Sequence, residues 1–209
     1  MPKEKETVHV SPNNPCPFLR ALVQQDMLNN EVAKISDVVT TIQEVAKTSG
    51  TSTNLPAIAI RAIALIANGL GPVSVVRNGL HGLRLDELRG GPLDKKGVGS
   101  AILDTHGLVN EAELDRLGEF ASDKKSPDGE TEPGLDINEI TKMMDDNFAR
   151  AKGHRRRIDR KLMNGEWPAL LKIMGKDGEN GRYLSIQEIR TLFVDRLFPQ
   201  RMMEQLTKA

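Results

Sequence analysis

The stretch SPNNPCPFLRALVQQDML, residues Ser11 to Leu28, contains the only cysteine of the chain and opens the first predicted helix. Pro17 disfavours the α region for the residue before it, so Cys16 is predicted to be extended, with Pro17 in the first helical position. The free N–H groups of a first helical turn and the helix dipole favour a deprotonated sulfur. The sequence therefore indicates either a thiolate at a helix start or a buried, inert thiol that packs as a small apolar group.

The composition narrows the class of protein. The chain has 209 residues, with 29 Lys plus Arg and 29 Asp plus Glu, so its charge gives no reason to expect nucleic acid or an anionic membrane as a partner. A single cysteine excludes an internal disulfide and a cysteine-rich zinc site. No apolar run reaches the ~20 residues of a membrane span, and the start MPKEKETVHV lacks the apolar core of a secretory signal. We expect a cytoplasmic protein, and a processed secreted chain would show the same features.

Helix signals recur along the chain, whereas β-branched runs are short and aromatic residues make up only 3%. We therefore predict an all-α fold, with a single domain over residues 1–209, a core within 10–202 and a surface loop at 122–134. The apolar segment Leu55 to Ala67 predicts the most buried helix.

Three stretches resemble the heme-thiolate peroxidases, the family of fungal chloroperoxidase and the unspecific peroxygenases. The motif PCP at Pro15 to Pro17, followed by LRALV, resembles the proximal motif of that family. The stretch DTHGLVNEAELDR, Asp104 to Arg116, looks like its second motif region. The stretch from Gly165 to Met202, GEWPALLKIMGKDGENGRYLSIQEIRTLFVDRLFPQRM, is similar to its glutamate-bearing helix and C-terminal end. The order and approximate spacing match, so the resemblance spans nearly the whole chain and implies a chloroperoxidase-like, all-α heme-binding fold.

The resemblance implies roles for the matching residues. Cys16, with Pro17 and Phe18 beside it, matches the axial thiolate ligand of heme b, and thiolate ligation favours O–O cleavage in a bound peroxide. Glu166 matches the distal glutamate that takes a proton from the near peroxide oxygen and delivers it to the departing one. The alternative for Glu166 is an ordinary helix-start carboxylate. The implied activity is peroxidation or oxygen insertion, with hydrogen peroxide and a small organic molecule as substrates; halide oxidation stays open.

The acidic triplet that binds a divalent ion in the family is altered here. Aligned without a gap it falls on Asn110 and Ala112, and with a one-residue shift it falls on Glu111 and Glu113. The resemblance thus implies that Glu111 and Glu113 bind Mg²⁺ or Mn²⁺. The alternative is that they are ordinary acidic residues in the first turn of a helix, where the helix dipole favours them.

Other side chains extend the implied heme site. Arg61, the only charged residue of the apolar helix, is a candidate partner for a heme propionate, with snorkelling to the surface as the alternative. Arg156, Arg157 and Arg160 precede Glu166 without the family's spacing, and we interpret them as a solvated face, with one of them facing the heme as the alternative. Because aromatic residues are few, the substrate pocket is expected to be aliphatic. Its candidate residues are Ile58, Ile60, Ile63, Leu65 and Met144.

A calcium-binding protein is the main alternative to a heme enzyme. The stretch DGENGRYLSIQE, Asp177 to Glu188, has an acid at position 1 and a glutamate at position 12 of an EF-hand-like loop. Arg182 stands at position 6, where the turn of such a loop requires glycine. A calcium-binding protein, a helical interaction protein and a non-catalytic heme binder therefore remain the competing hypotheses, and the sequence carries no indication of an oligomeric state.

Overall fold

The computed structural model describes residues 9–49, 56–94 and 101–207, and it combines helices with two antiparallel sheets. The helices are α1 (Pro17–Gln24), α2 (Ile35–Lys47), α3 (Ala57–Ile66), α4 (Pro72–His81), α5 (Glu111–Asp115), α6 (Ile137–Arg150), α7 (Asp159–Met163), α8 (Trp167–Met174), α9 (Ile186–Arg190) and α10 (Gln200–Leu206). The strands are β1 (Val32–Ala33), β2 (Leu83–Arg84), β3 (Ser122–Lys125), β4 (Thr131–Leu135), β5 (Lys176–Gly178) and β6 (Gly181–Ser185).

The prediction of an all-α, chloroperoxidase-like fold is wrong, because the chain also forms two sheets. The strands pair as β1-β2 and as a four-stranded sheet in the order β3-β4-β6-β5. The range 122–134, predicted as a surface loop, contains β3 and most of β4, joined by a turn in which the Gly129 N–H donates to the Ser126 carbonyl at 3.0 Å. These strands are short and polar, so they lack the alternation by which a half-buried strand is recognised in a sequence.

The four-stranded sheet leads directly into two helices. Leu135 of β4 lies opposite Leu184 of β6, and both side chains are buried in the core. Asp136 caps α6 through a reciprocal capping box with Glu139, and the Ser185 hydroxyl accepts a hydrogen bond from the backbone at the start of α9. Each strand end is therefore also a helix start, which fixes α6 and α9 to the sheet.

The apolar helix α3 is less buried than its composition predicts. It packs against α2 and α4, but Ala64 is its only buried residue. Ile58 is 79% exposed and Ile63 is 52% exposed. The prediction that this segment is the most buried helix is therefore wrong, and α3 and α4 together present apolar side chains on the surface.

Aromatic contacts place α1 and α8 on the same C-terminal segment. The Phe18 ring of α1 lies 5.1 Å, centroid to centroid, from Phe198. The Trp167 ring at the start of α8 stacks on Phe193 with centroids 6.2 Å apart. Residues 193–198 thus link the helix that follows Cys16 to the helix that follows Glu166.

Within the described ranges, no helix combines the length and the apolar character needed to cross a membrane.

Candidate functional site

The start of α1 has the backbone that its prolines predict. Cys16 is the N-cap residue, extended at φ −89° and ψ 113°, and Pro17 is the first residue of the helix. The Cys16 backbone N–H donates to the Asn14 side-chain oxygen at 3.1 Å, and the Cys16 carbonyl accepts a hydrogen bond from the Arg20 backbone N–H at 3.0 Å. The Cys16 side chain is half-buried. It makes no capping hydrogen bond to the first turn, so the predicted contact between the sulfur and the first-turn N–H groups is wrong.

A buried arginine one turn further along α1 connects this helix start to the second motif. Arg20 is only 2% exposed. Its Nη1 donates to the carbonyls of Ser11 at 2.9 Å and Asn14 at 3.3 Å, and its Nη2 donates to the Gly107 carbonyl at 3.1 Å. The structure therefore brings the PCP stretch and the DTHG stretch together, and Arg20 contacts both.

Gly107 is required where the DTHG stretch crosses Arg20. Its φ is +73°, and a Cβ atom there would lie 2.7 Å from Arg20 Nη1 and 3.1 Å from the Pro12 Cα. A larger residue would both strain the backbone and displace the guanidinium.

The turn that precedes Gly107 is closed by Asp104. One carboxylate oxygen of Asp104 accepts the backbone N–H groups of His106 and Leu108, each at 2.8 Å. The hydrogen bond from Leu108 is the main reason why the pKa of Asp104 is lowered, and partial burial opposes that shift. The Asp104 carbonyl accepts a hydrogen bond from the Arg89 guanidinium, so a second arginine holds this turn.

The loop that carries Arg89 contacts both the Cys16 segment and Arg156. The Arg89 N–H donates to the Asn13 carbonyl at 2.9 Å. Five residues later, the Asp94 carbonyl accepts from Arg156 Nη2 at 2.8 Å. The Arg156 side chain is half-buried and holds the Asp94 carbonyl, so it is not part of a solvated face as predicted.

Glu166 occupies the N-cap position of α8 and is half-buried. The next residue, Trp167, is buried and stacks on Phe193, which fixes the start of α8. Cys16 and Glu166 thus share one structural feature: each immediately precedes a helix that is anchored on residues 193–198 by an aromatic contact.

Both predicted ligands of the divalent ion, Glu111 and Glu113, form ion pairs with arginines. The Glu113 carboxylate accepts hydrogen bonds from both terminal nitrogens of Arg150. The Glu111 carboxylate accepts one from Arg190 Nη2 at 2.6 Å. Across 9–49, 56–94 and 101–207, no three His, Cys, Asp or Glu side chains form a group that could hold a metal ion. The hydrogen bond to Glu113 is the main cause of the raised pKa of Arg150, as expected for an ion pair.

The predicted propionate partner and aliphatic pocket are not assembled. Arg61 lies on an exposed position of α3, which agrees with the snorkelling alternative. Ile58 and Ile63 are exposed on the same helix, whereas Met144 is fully buried in α6.

The EF-hand-like stretch forms the β5–β6 hairpin and the first turn of α9. Asp177 pairs with Arg182 at 3.0 Å, and Glu188 pairs with Arg201 at 2.7 Å. Arginines therefore neutralise the two carboxylates that a calcium loop would use at its first and last positions.

By donor type alone Cys16 suits a heme iron, because a thiolate is an established axial ligand. Its side chain is half-buried and packs against the apolar core. A shallow surface depression with essentially no enclosed volume lies elsewhere, at α5 and α6, so it is not a ligand pocket. Its lining residues are Ile102, Glu113, Arg116, Leu117, Phe120, Met143 and Asn147.

Comparison of this chain with protein-family models, with curated proteins and with solved structures finds no match.

Arg20 and Arg89 are the site residues that sequence reasoning missed. The available signal was a lone charged residue inside the apolar run FLRALV, since an arginine at such a position must either reach the surface or find buried acceptors.

Proposed function

We propose that the protein is a heme-thiolate peroxidase or peroxygenase that uses hydrogen peroxide to oxidise or oxygenate a small organic substrate. The observation that carries the proposal is the hydrogen bond from Arg20 to the Gly107 carbonyl, because it joins two of the stretches on which the resemblance rests. The Phe18–Phe198 contact adds the third stretch to the same cluster. Sequence segments far apart in the chain thus meet around Cys16.

Cys16 would supply the ligand. The residues around it hold its backbone in one conformation: Pro17 begins the helix, and Asn14 accepts the Cys16 N–H. Bound heme with a thiolate ligand supplies peroxide O–O cleavage. The contribution of this chain is to orient the sulfur, and the Arg20 hydrogen bonds to the Ser11 and Asn14 carbonyls fix the loop on which it sits.

Glu166 would move the proton. A carboxylate in hydrogen-bond reach of the peroxide takes a proton from one oxygen and returns it to the other, which typically accelerates such a step by about 10²- to 10⁴-fold. The buried stack of Trp167 on Phe193 fixes the backbone next to Glu166, so the carboxylate would be positioned by a rigid helix start.

The test is the variant Glu166→Gln in protein reconstituted with hemin. We expect peroxide-dependent oxidation of a chromogenic phenol to fall about 10²-fold or more, while the hemin content stays unchanged. The matched control is Glu130→Gln, an exposed glutamate in the β3–β4 turn, which should retain full turnover. Hemin uptake without turnover in the unsubstituted protein would support the non-catalytic heme binder instead. Equal turnover in both variants would remove Glu166 from the mechanism.

A further inference from the structure

Helices α3 and α4 present large apolar side chains to solvent. Ile58 of α3, Leu70 of the connection between the two helices, and Val73, Val76 and Leu80 of α4 are each between 57% and 80% exposed. We call these five residues the α3–α4 face. Single exposed apolar residues are ordinary on a protein surface, whereas several on two adjacent elements indicate an interaction site.

The buried side of α4 prevents this face from turning inward. Asn78 is 0% exposed, and its Nδ2 donates to the carbonyls of Ala64 at 3.3 Å and Leu65 at 3.0 Å, both on α3. At 3.6 residues per turn, Val76 and Leu80 lie on the side of the helix opposite Asn78. Rotating α4 to bury them would break hydrogen bonds of an interior amide, so the apolar side stays outward.

The spacing on α4 suits pairing with an identical helix. Val73, Val76 and Leu80 stand at positions i, i+3 and i+7, which is the spacing of a two-helix seam. In an antiparallel pair related by a two-fold axis, Val76 would meet Val76 of the second copy and Val73 would meet Leu80. The seam is therefore self-complementary, as a two-fold interface requires.

The area of the face matches a dimer of ordinary size. Its five side chains expose on the order of 500 Å² of apolar surface, whereas monomeric proteins rarely show a contiguous patch beyond a few hundred Å². A standard interface buries about 800 Å² on each partner, and about 65% of a homodimer interface is apolar. The α3–α4 face thus supplies the apolar part of such an interface.

The charges around the face favour a second copy over an anionic membrane. Arg77 pairs with Glu87 at 3.4 Å, and Arg84 pairs with Asp86 at 3.0 Å. Arg61 is left as one exposed arginine, whereas electrostatic attachment to anionic lipid uses clusters of about 4 to 8 basic residues. The chain has a formal net charge of zero, so two copies do not repel each other at long range.

The rest of this sequence offers no apolar cover. The stretches outside the described ranges are residues 1–8, 50–55, 95–100 and 208–209, and each contains at most two large apolar residues. We therefore expect the α3–α4 face to be covered by another molecule.

We propose that the α3–α4 face is the interface of a homodimer, in which the α4 helices of two copies pack antiparallel about a two-fold axis. The proposal is independent of heme and can be tested on the apoprotein.

The first test is sedimentation of the full chain over a wide concentration range. We expect a monomer–dimer equilibrium, and we expect Leu80→Lys to raise its Kd about 30-fold or more, because a charge would enter the centre of the interface. The matched control is Leu108→Lys, at a side chain that is 65% exposed in the DTHG turn, and it should leave the Kd unchanged.

The second test places the contact without adding a charge. In a Cys16→Ala background, Val76→Cys should form a disulfide-linked dimer rapidly on mild oxidation, since the two-fold axis brings this position against itself. Leu108→Cys in the same background should cross-link only at the slow rate of random collision. Because Val76 is more than half exposed, the substitution keeps the fold.

The outcomes separate the possible occupants. A monomer at every concentration overturns the proposal, and so does a dimer that Leu80→Lys leaves intact while Val76→Cys fails to cross-link. Binding of a monomeric chain to phosphatidylcholine–phosphatidylserine vesicles, abolished by Leu80→Lys, would assign the face to a membrane and also overturn the dimer.

Discussion

Arg20 is the residue on which the conformation of the Cys16 segment depends most. Its guanidinium donates to three carbonyls, one of them 87 residues away in the chain. Hydrogen bonds from a charged donor are worth about 1.5 to 3 kcal/mol each, and the carbonyls would lose their partners together if the side chain were removed. This one side chain therefore couples local and long-range structure.

Replacing Arg20 by methionine keeps the apolar stem and removes the donors. We expect Arg20→Met to lower the free energy of unfolding of the apoprotein by about 3 kcal/mol, measured by urea denaturation. Arg77→Met, the same change at a partly exposed position, should alter it by less than about 0.5 kcal/mol. Similar values for the two variants would show that Arg20 does not hold the DTHG turn.

Residue-scale prediction from the sequence succeeded where the constraint is local. The extended Cys16 and the helical position of Pro17 follow from proline sterics alone, and both are confirmed. The position of the sulfur relative to the first-turn N–H groups depends on side-chain rotamers, and that expectation is wrong. The partner of Arg20 could not be predicted, because nothing in the sequence near Arg20 specifies a glycine carbonyl so distant in the chain.

At the scale of elements, α3 shows the limit of hydrophobic content as a signal. A segment that is apolar all round predicts burial, yet the structure places only Ala64 of this helix in the core. By contrast, α6 is less apolar, and its Ile140, Met143 and Met144 are completely or almost completely buried. Ile140, Met143 and Met144 recur at helical spacing and so define one inward face, whereas a uniformly apolar helix has no single face that its sequence marks as inward.

Two isoleucine-to-alanine changes measure this difference. Ile140→Ala, at a fully buried position of α6, should cost about 2 to 5 kcal/mol of stability. Ile63→Ala, at a side chain that is 52% exposed on α3, should cost less than about 1 kcal/mol in the same urea denaturation. A cost at Ile63 equal to that at Ile140 would contradict the surface position of α3.

The four-stranded sheet was missed because polar networks, rather than apolar alternation, support it. Glu132 of β4 accepts hydrogen bonds from Tyr183 at 2.8 Å and Ser185 at 2.6 Å on β6, and it forms an ion pair with Lys176 of β5. Burial alone would raise the pKa of Glu132, but the bonds from these partners outweigh it and the pKa is lowered. One carboxylate thus ties β4, β5 and β6 together.

The depressed pKa of Glu132 predicts a pH-dependent contribution to stability. Because the folded-state pKa lies below the unfolded value, the stabilisation is complete above the unfolded pKa and is lost as the pH falls through the folded pKa. We expect Glu132→Gln to destabilise the protein by about 1.5 to 3 kcal/mol at pH 7, with a smaller difference in acid, measured by chemical denaturation. Glu130→Gln should show no such trend, and a difference for Glu132→Gln that grows in acid would contradict the network.

At the scale of the whole molecule, the chain is a mixed α/β protein in which the motifs of the resemblance converge. The sequence predicted the motifs, the start of α1 and the position of α3, because these depend on local patterns. It could not predict that the strands pair, nor that Arg150 and Arg190 would take the carboxylates Glu113 and Glu111, since both depend on contacts between distant segments.

The proposed activity requires a negatively charged Cys16 sulfur as an iron ligand, and ligation is directly observable. The apoprotein is reconstituted with hemin, reduced, exposed to carbon monoxide and followed by its Soret absorption. We predict a strongly red-shifted Soret band, reporting a thiolate ligand, that is absent in Cys16→Ala. A histidine-type spectrum, failure to take up hemin, or the same red-shifted band in Cys16→Ala would contradict the account.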